Sequence, residues 1–239
     1  MKILGIDSSG LVASVALVSD DTMVAEYTIN YKKTHSQTLL PMLDEIVQMI
    51  GLPLDEIDAI AVAAGPGSFT GLRIGSSTAK GLGLALNKPI VSVPTVDGLA
   101  YNLFGTDKLI CPIMDARRNQ VYTGLYEFLE DELKVLCEQK PVSIDEIVEE
   151  INERNREVIF LGDGVPVYKE RIKEKIDVPY LYAPAHLSKQ RAGAIATLGG
   201  IYYSEGKAET AAAHQPVYLR LSQAERELAE KTGKSKKQS

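Results

Sequence analysis

The pattern of apolar and polar positions divides most of the chain into two stretches with the same order of predicted elements. Short apolar runs bounded by turn residues predict strands, and longer runs with apolar positions three and four apart predict helices. In the first stretch the predicted strands are 2–6, 12–18, 23–29, 57–63 and 90–93, and the predicted helices are 34–50 and 68–86.

The second stretch repeats this order. Its predicted strands are 109–114, 120–128, 133–139, 157–161 and 180–182, and its predicted helices are 144–153, 167–175 and a final 188–204. Ser143 followed by Glu146 is typical of a capping box at a helix start. An aspartate follows the first strand in each half, namely Asp7 and Asp115.

This repeated order predicts an α/β protein with two duplicated lobes, each a mixed sheet flanked by helices, facing each other across a cleft. It resembles the ribonuclease-H-like fold of the actin, sugar-kinase and Hsp70 superfamily, in which the two aspartate turns flank a nucleotide. We expect an N-terminal lobe at 1–105 and a C-terminal lobe at 106–187. A C-terminal helix and extension at 188–220 should pack on the lobes, and 221–239 should be a polar tail, disordered at its end.

Composition and charge limit the classes of function that the chain can have. The chain has 239 residues, 45% hydrophobic and 24% charged, which is ordinary for a folded domain. Removing the four lysines of the last nine residues from the net charge of −6 leaves −10 on residues 1–230. Such an acidic body repels a phosphate backbone, so tight direct binding of RNA or DNA by this chain alone is not expected.

Other absences in the sequence favour a cytoplasmic protein. Cys111 and Cys137 lie far apart and fit no CxxC pattern, which is typical of reduced thiols. An aspartate at position 7 argues against a signal peptide, and no run of about 18 apolar residues predicts a membrane span. His35, His186 and His214 form no HxxxH pair, so no metal site is expected.

The glycine-rich turn at 64–75 has two interpretations. Its glycines could bring backbone N–H groups to a phosphate at the start of a helix. It lacks the lysine of a P-loop, however, and Thr70 stands where GxGxxG requires its third glycine. A purely structural turn with tight helix packing is the alternative.

Two helices could form a contact surface. In the second of them, Gly71, Gly75, Ala79 and Gly83 recur every four residues, which predicts the close approach of another backbone. Apolar positions cover about half the circumference of helix 34–50, more than the stripe of about 100° that packing on one sheet needs. Burial within the chain's own lobe and docking of a partner both remain open.

The segment Asp115-Ala116-Arg117-Arg118 is a charged turn at a strand end. Its arginines could clamp a carboxylate or phosphate, or they could pair with acids such as Asp115 and Glu127 in a structural turn.

Together these motifs resemble the TsaB family, the dimerization subunits of the bacterial tRNA threonylcarbamoyladenosine machinery, from about residue 1 to 220. The resemblance lies in 3–9, His35-Ser36 followed by Leu39-Leu40-Pro41, 65–75, 79–82, 114–122, 162–164 and 216–220. The 65–73 stretch, Gly-Pro-Gly-Ser-Phe-Thr-Gly-Leu-Arg, is the most specific of them.

The resemblance implies a non-catalytic subunit without cofactor or metal. Its partners would be the catalytic paralogue TsaD and the ATPase subunit TsaE, with a homodimer possible through the same helices, 35–50 and 69–86. The implied interface residues are Leu39, Leu40, Leu43, Ile46, Val47, Phe69, Leu72, Arg73, Gly75, Ser76 and Ala79. A vestigial nucleotide site would comprise Asp7, Ser8, Ser9, Gly65 and Gly67. The alternative function is a metal- or nucleotide-dependent, glycoprotease-like hydrolase that uses Asp7, Asp115 and the glycine turn.

Overall fold

The computed structural model describes residues 1–31 and 34–220, and two mixed β-sheets form its framework. The first sheet contains β1 (Lys2–Asp7), β2 (Ala13–Ser19), β3 (Thr22–Ile29), β4 (Ala59–Gly65), β5 (Ile90–Pro94) and β11 (Ala208–Glu209), in the order β11-β5-β4-β1-β2-β3. The second contains β6 (Leu109–Asp115), β7 (Gln120–Leu129), β8 (Glu132–Ser143), β9 (Val158–Leu161) and β10 (Tyr180–Tyr182), in the order β10-β9-β6-β7-β8.

Six helices cover these sheets in the described residues: α1 (His35–Ile50), α2 (Phe69–Leu86), α3 (Thr95–Tyr101), α4 (Ile144–Arg154), α5 (Val165–Lys175) and α6 (Ala192–Ser204). Five strands have the same topology in both sheets, and β11 is an additional edge strand of the first sheet. β1 is antiparallel to β2 and parallel to β4, just as β6 is antiparallel to β7 and parallel to β9. The predicted α/β fold class with two duplicated lobes is therefore confirmed.

The apolar runs of the central strands reflect burial on both faces. Because successive side chains of a strand point to opposite faces, Leu4 and Ile6 pack into the core beneath α1, whereas Ile3 packs against α6. Burial on both faces explains why β1 and β4 are almost continuously apolar.

Two helices pack across the boundary between the lobes. α6, whose position the sequence left open, packs on β1 and β4 of the first sheet, so closely that a Cβ on Gly199 would collide with Ala61. α3, which the sequence analysis missed, packs Val96 and Leu99 against Ile110 and Tyr126 of the second sheet. The packing of α3 thus crosses the expected boundary at 105.

Smaller differences concern element ends. The final helix begins at Ala192 rather than 188, and α5 begins two residues earlier than predicted. The capping box of α4 is confirmed, since Ser143 Oγ accepts from the Glu146 N–H at 3.2 Å and Glu146 Oε2 accepts from the Ser143 N–H at 3.2 Å. The predicted tail, 221–239, lies outside the described residues.

Candidate functional site

The turn after β1 is closed by its own hydrogen bonds. Asp7 is 1% exposed, and its Oδ1 accepts from Ser9 N at 2.9 Å and from Ser9 Oγ at 2.6 Å. Ser8 Oγ donates to Gly71 O at 2.8 Å. Burial raises the pKa of Asp7 to about 6, and the two bonds from Ser9 oppose that rise. The carboxyl is therefore engaged inside the lobe rather than presented to the cleft.

The glycine turn packs directly on this aspartate turn. Ser68 N donates to Ser9 O at 2.7 Å, and a Cβ on Gly67 would collide with that same carbonyl oxygen. Ser68 Oγ caps α2 by accepting from Gly71 N at 3.3 Å. Gly65, at φ 124°, lies against the Val217 carbonyl, where no side chain has room.

These contacts bring together all five residues expected to form a vestigial nucleotide site. Four of their donors, however, already bond within the chain, namely the hydroxyls of Ser8 and Ser9 and the backbone N–H groups of Ser9 and Gly65. The phosphates of the nucleotide that the fold implies do not fit this packed turn. The structure therefore favours the structural interpretation of the glycine turn.

The stripe of small residues on α2 faces inward, which corrects part of the interface prediction. A Cβ on Gly71 would collide with the Ser8 carbonyl, and one on Gly75 would lie 2.5 Å from Ser8 Oγ. Ser76 is 5% exposed and Ala79 is 0% exposed. The backbone that comes close is the chain's own, so Gly75, Ser76 and Ala79 support α2 from within and expose almost no surface to a partner.

The apolar surface of α1 is likewise mostly internal. Leu39, Leu43 and Ile46 belong to the core between α1 and the first sheet, and Leu72 of α2 is also buried. Val47 packs partly against the same core. These positions were predicted as contact residues. The physical reason for the correction is that α1 covers β2, β3 and the side of α2 together, and so it buries a wide apolar surface.

An outer face of α1 and α2 remains open, and we call it the docking face. Leu40 is 54% exposed on α1, and Leu84 is 62% exposed on α2. A groove of about 310 Å³ between the helices is lined by His35, Ser36, Leu39, Leu40, Arg73, Ile74, Ser77 and Thr78.

Gly81 distinguishes the docking face from the rest of α2. A Cβ built on Gly81 has no atom within 4 Å, whereas the glycines at 71, 75 and 83 are all hemmed in by the chain itself. Gly81 lies in one row with Ser77 and Ala85, and all three are exposed. Period-four spacing alone could not separate this outer row from the inner one, because both consist of small residues.

Phe69 and Arg73 join the docking face to the C-terminal segment. The Phe69 ring stacks on Tyr218 with centroids 4.3 Å apart, and the Arg73 guanidinium lies 4.2 Å from the Phe69 centroid. Arg73 Nε donates to Tyr218 Oη at 3.3 Å. The chain then reaches the second lobe, where Arg220 Nη1 donates to Ala116 O at 2.6 Å. The segment 216–220, which we call the strap, therefore connects both lobes.

The structure also decides between the alternatives for the Asp115 turn. Glu127 pairs with Arg156 at 2.6 Å, and Asp115 Oδ1 accepts from the Arg117 backbone N–H at 2.8 Å rather than from a guanidinium. Within the described residues, neither Arg117 nor Arg118 has an ion-pair partner, and both are exposed. Pairing with acids of the turn is therefore not what holds these side chains.

The described residues contain neither a metal-binding cluster nor a membrane-spanning helix. No group of three or more His, Cys, Asp or Glu side chains is arranged to hold a metal ion. Among residues 1–31 and 34–220, no helix is long and apolar enough to cross a membrane.

The duplicated lobes with paired aspartate turns define a protein of the sugar-kinase and actin-like fold. ROK hexokinase from Thermus thermophilus superposes with a TM-score of 0.50 at 11% identity, covering 86% of this chain and 100% of that chain. YeaZ from Pseudomonas aeruginosa superposes with a TM-score of 0.75 at 27% identity, covering 91% and 99%.

Sequence comparison is more specific. The family model described as "TsaD: tRNA N6-adenosine threonylcarbamoyltransferase" matches residues 22–228. The tRNA threonylcarbamoyladenosine biosynthesis protein TsaB of Bacillus subtilis is 36% identical, covering 94% of this chain and 96% of the relative. The Escherichia coli protein of the same name is 31% identical, covering 95% and 98%. The chain belongs to the TsaB family.

Proposed function

We propose that this chain acts in the cytoplasm as a non-catalytic dimerization subunit in the biosynthesis of threonylcarbamoyladenosine in tRNA. It pairs with a catalytic paralogue of the TsaD type through the docking face. An ATPase subunit, TsaE, joins that pair, and a second copy of the chain can use the same face. The names of its relatives and the match to the TsaD-type family model support this proposal.

The observation that carries the proposal is the open position at Gly81. A glycine inside a helix costs about 1 kcal/mol relative to alanine. The chain's own packing gives no reason for that cost, because nothing lies within 4 Å of the missing Cβ. Together with exposed Ser77 and Ala85, Gly81 allows a partner helix to approach the backbone of α2 closely.

The apolar residues beside this row supply the contact area. Leu40 lines the groove and Leu84 is exposed further along α2, and the groove gives a partner side chain a place to insert. Burial of apolar surface contributes about 25 cal/mol per Å². Buried Leu39 and Leu43 hold the helices in place from below.

The test is co-purification and titration of the chain with its catalytic paralogue. Gly81→Arg and Leu40→Glu each are expected to weaken association at least about tenfold, because a long or charged group then fills the approach path. Gly81→Arg should leave folding intact, since its Cβ meets no atom and arginine is a good helix former.

Ser204→Arg is the matched control. It introduces the same side chain and charge at an exposed helical serine whose hydroxyl donates to Gly200 O of its own helix. Light scattering of the isolated chain reports the homodimer. If both docking-face variants associate like the control, the proposed interface is wrong.

A further inference from the structure

The turn that carries Arg117 and Arg118 has an unfavourable backbone conformation. Arg117, Arg118 and Asn119 have φ values of 61°, 56° and 57°, all in the left-handed region. This region is sterically unfavourable for residues other than glycine. Hydrogen bonds at the base hold the turn: Ala116 N donates to Gln120 O at 3.0 Å, and Gln120 N donates to Arg117 O at 3.2 Å. Two exposed guanidinium groups are thus presented on a fixed turn.

The strap adds a third cation and an aromatic ring beside this turn. Arg220 bonds Ala116 O, so its guanidinium lies at the residue that precedes Arg117. Tyr218 lies two positions earlier, within about 7 Å of chain, and is 39% exposed. Arg73 is hydrogen-bonded to it. We call Arg73, Tyr218, Arg220, Arg117 and Arg118 the arginine ridge, which runs from the first lobe to the second.

The charge of the ridge contrasts with that of the rest of the chain. The formal net charge is −6, yet the ridge contains four arginines. Within the part of the chain that the structure describes, no acid forms an ion pair with any of them, whereas Arg154, Arg156, Arg171 and Arg191 all have one. Unpaired arginines next to an exposed aromatic ring are the groups that bind phosphates and stack on bases in single-stranded nucleic acid.

We propose that the arginine ridge contacts the single-stranded loop of the tRNA, with Arg117 and Arg118 on backbone phosphates and Tyr218 against a base. The identity of the RNA rests on the proposed function. The acidic body opposes binding by the chain alone, so the ridge contributes within the assembly, where the catalytic paralogue supplies the rest of the RNA surface.

The test measures tRNA binding by the assembly of the chain with its catalytic paralogue over a range of salt concentrations. The double variant Arg117→Asn, Arg118→Asn removes both charges and keeps the turn, because asparagine tolerates the left-handed region. We expect affinity to fall about tenfold. The slope of log K against log salt should flatten by about 1.5, since each lost phosphate contact removes about 0.7–0.9.

Tyr218→Leu separates stacking from charge. It should weaken binding several-fold without changing the salt slope, because a lost stacking contact releases no counterion. The matched control is Lys169→Gln with Lys173→Gln, which removes two exposed cations of α5 and should change neither quantity.

Each outcome decides the question. If affinity and slope are unchanged in an intact assembly, the ridge does not bind RNA. If the arginine variant instead loses the ATPase subunit while RNA binding persists, the ridge is a protein contact and the proposal is overturned. If the native chain does not join the paralogue, the proposed function fails. The arginine ridge is then tested on the chain alone, by measuring its binding to an RNA hairpin loop at low salt. If the arginine variant binds that RNA as well as the native chain does, the proposal for the ridge is also overturned.

Discussion

Two glycines of α2 should respond in opposite ways to the same substitution. Gly75→Ala and Gly81→Ala each gain about 1 kcal/mol of helix propensity. At Gly81 the methyl group meets no atom within 4 Å, so the free energy of unfolding should rise by that amount. At Gly75 the methyl group would lie 2.5 Å from Ser8 Oγ, which must move.

Moving the Ser8 hydroxyl breaks its 2.8 Å bond to Gly71 O in a buried site. An unsatisfied buried hydroxyl costs about 1–3 kcal/mol. Because the propensity gain is common to both variants, the difference between them measures this cost directly. We expect Gly75→Ala to be less stable than Gly81→Ala by about 1–3 kcal/mol, or about 2–12 °C in Tm at 2–4 °C per kcal/mol.

Urea denaturation is the assay, at concentrations where light scattering reports a monomer, because association would add its own stability. A double-mutant cycle supplies the control. In a Ser8→Ala background the clashing atom is gone, and Gly75→Ala should become stabilising. If both glycine variants are equally stable in the native background, the inward orientation of the Gly75 row is refuted.

Three further predictions concern single groups. Burial raises the pKa of Asp7 from 3.8 to about 6, so its contribution to stability is present below pH 4 and is lost as pH rises through 6. Asp7→Asn should therefore gain stability relative to the native chain between pH 4 and 7, by up to about 3 kcal/mol in urea titrations, and a pH-independent difference would contradict this. Ser143→Ala should cost about 1 kcal/mol in thermal unfolding because it removes the α4 cap, whereas an unchanged Tm would argue against the capping box. Maleimide should label Cys137 in the folded chain but Cys111 only after denaturation, because burial raises the pKa of Cys111 to about 12; mass spectrometry reports which thiol reacted.

The sequence predicted the fold more completely than it predicted the candidate site. Alternating and continuous apolar runs were sufficient to predict the strands of both sheets. A strand that is buried on both faces, such as Lys2–Asp7, is apolar at nearly every position. The seven-residue α3 was missed because Thr95–Tyr101 is too short to show a helical period. Periodicity also could not predict where α6 packs, because it shows which side of a helix is apolar but not which sheet that side contacts.

The site depends on features that no local pattern records. Gly75 and Gly81 are the same residue type in the same helix, and only the position of the Ser8 turn makes one internal and the other open. The left-handed run at Arg117–Asn119 contains no glycine, so composition gives no sign of it. The sequence selected α1 and α2 as the proposed contact helices, but most of the side chains it selected are buried and hold the helices in place.

The packing of α3 and α6 across the boundary between the lobes limits how the chain can be divided. Cutting near residue 105 would leave the first fragment without α6 over Ile3 and Ala61, and the second without α3 over Ile110 and Tyr126. Each fragment would have a sheet with one bare apolar face. Neither half is then an autonomous folding unit. Co-expressed fragments should reassemble with each other, as two pieces that each carry the cover for the other's sheet.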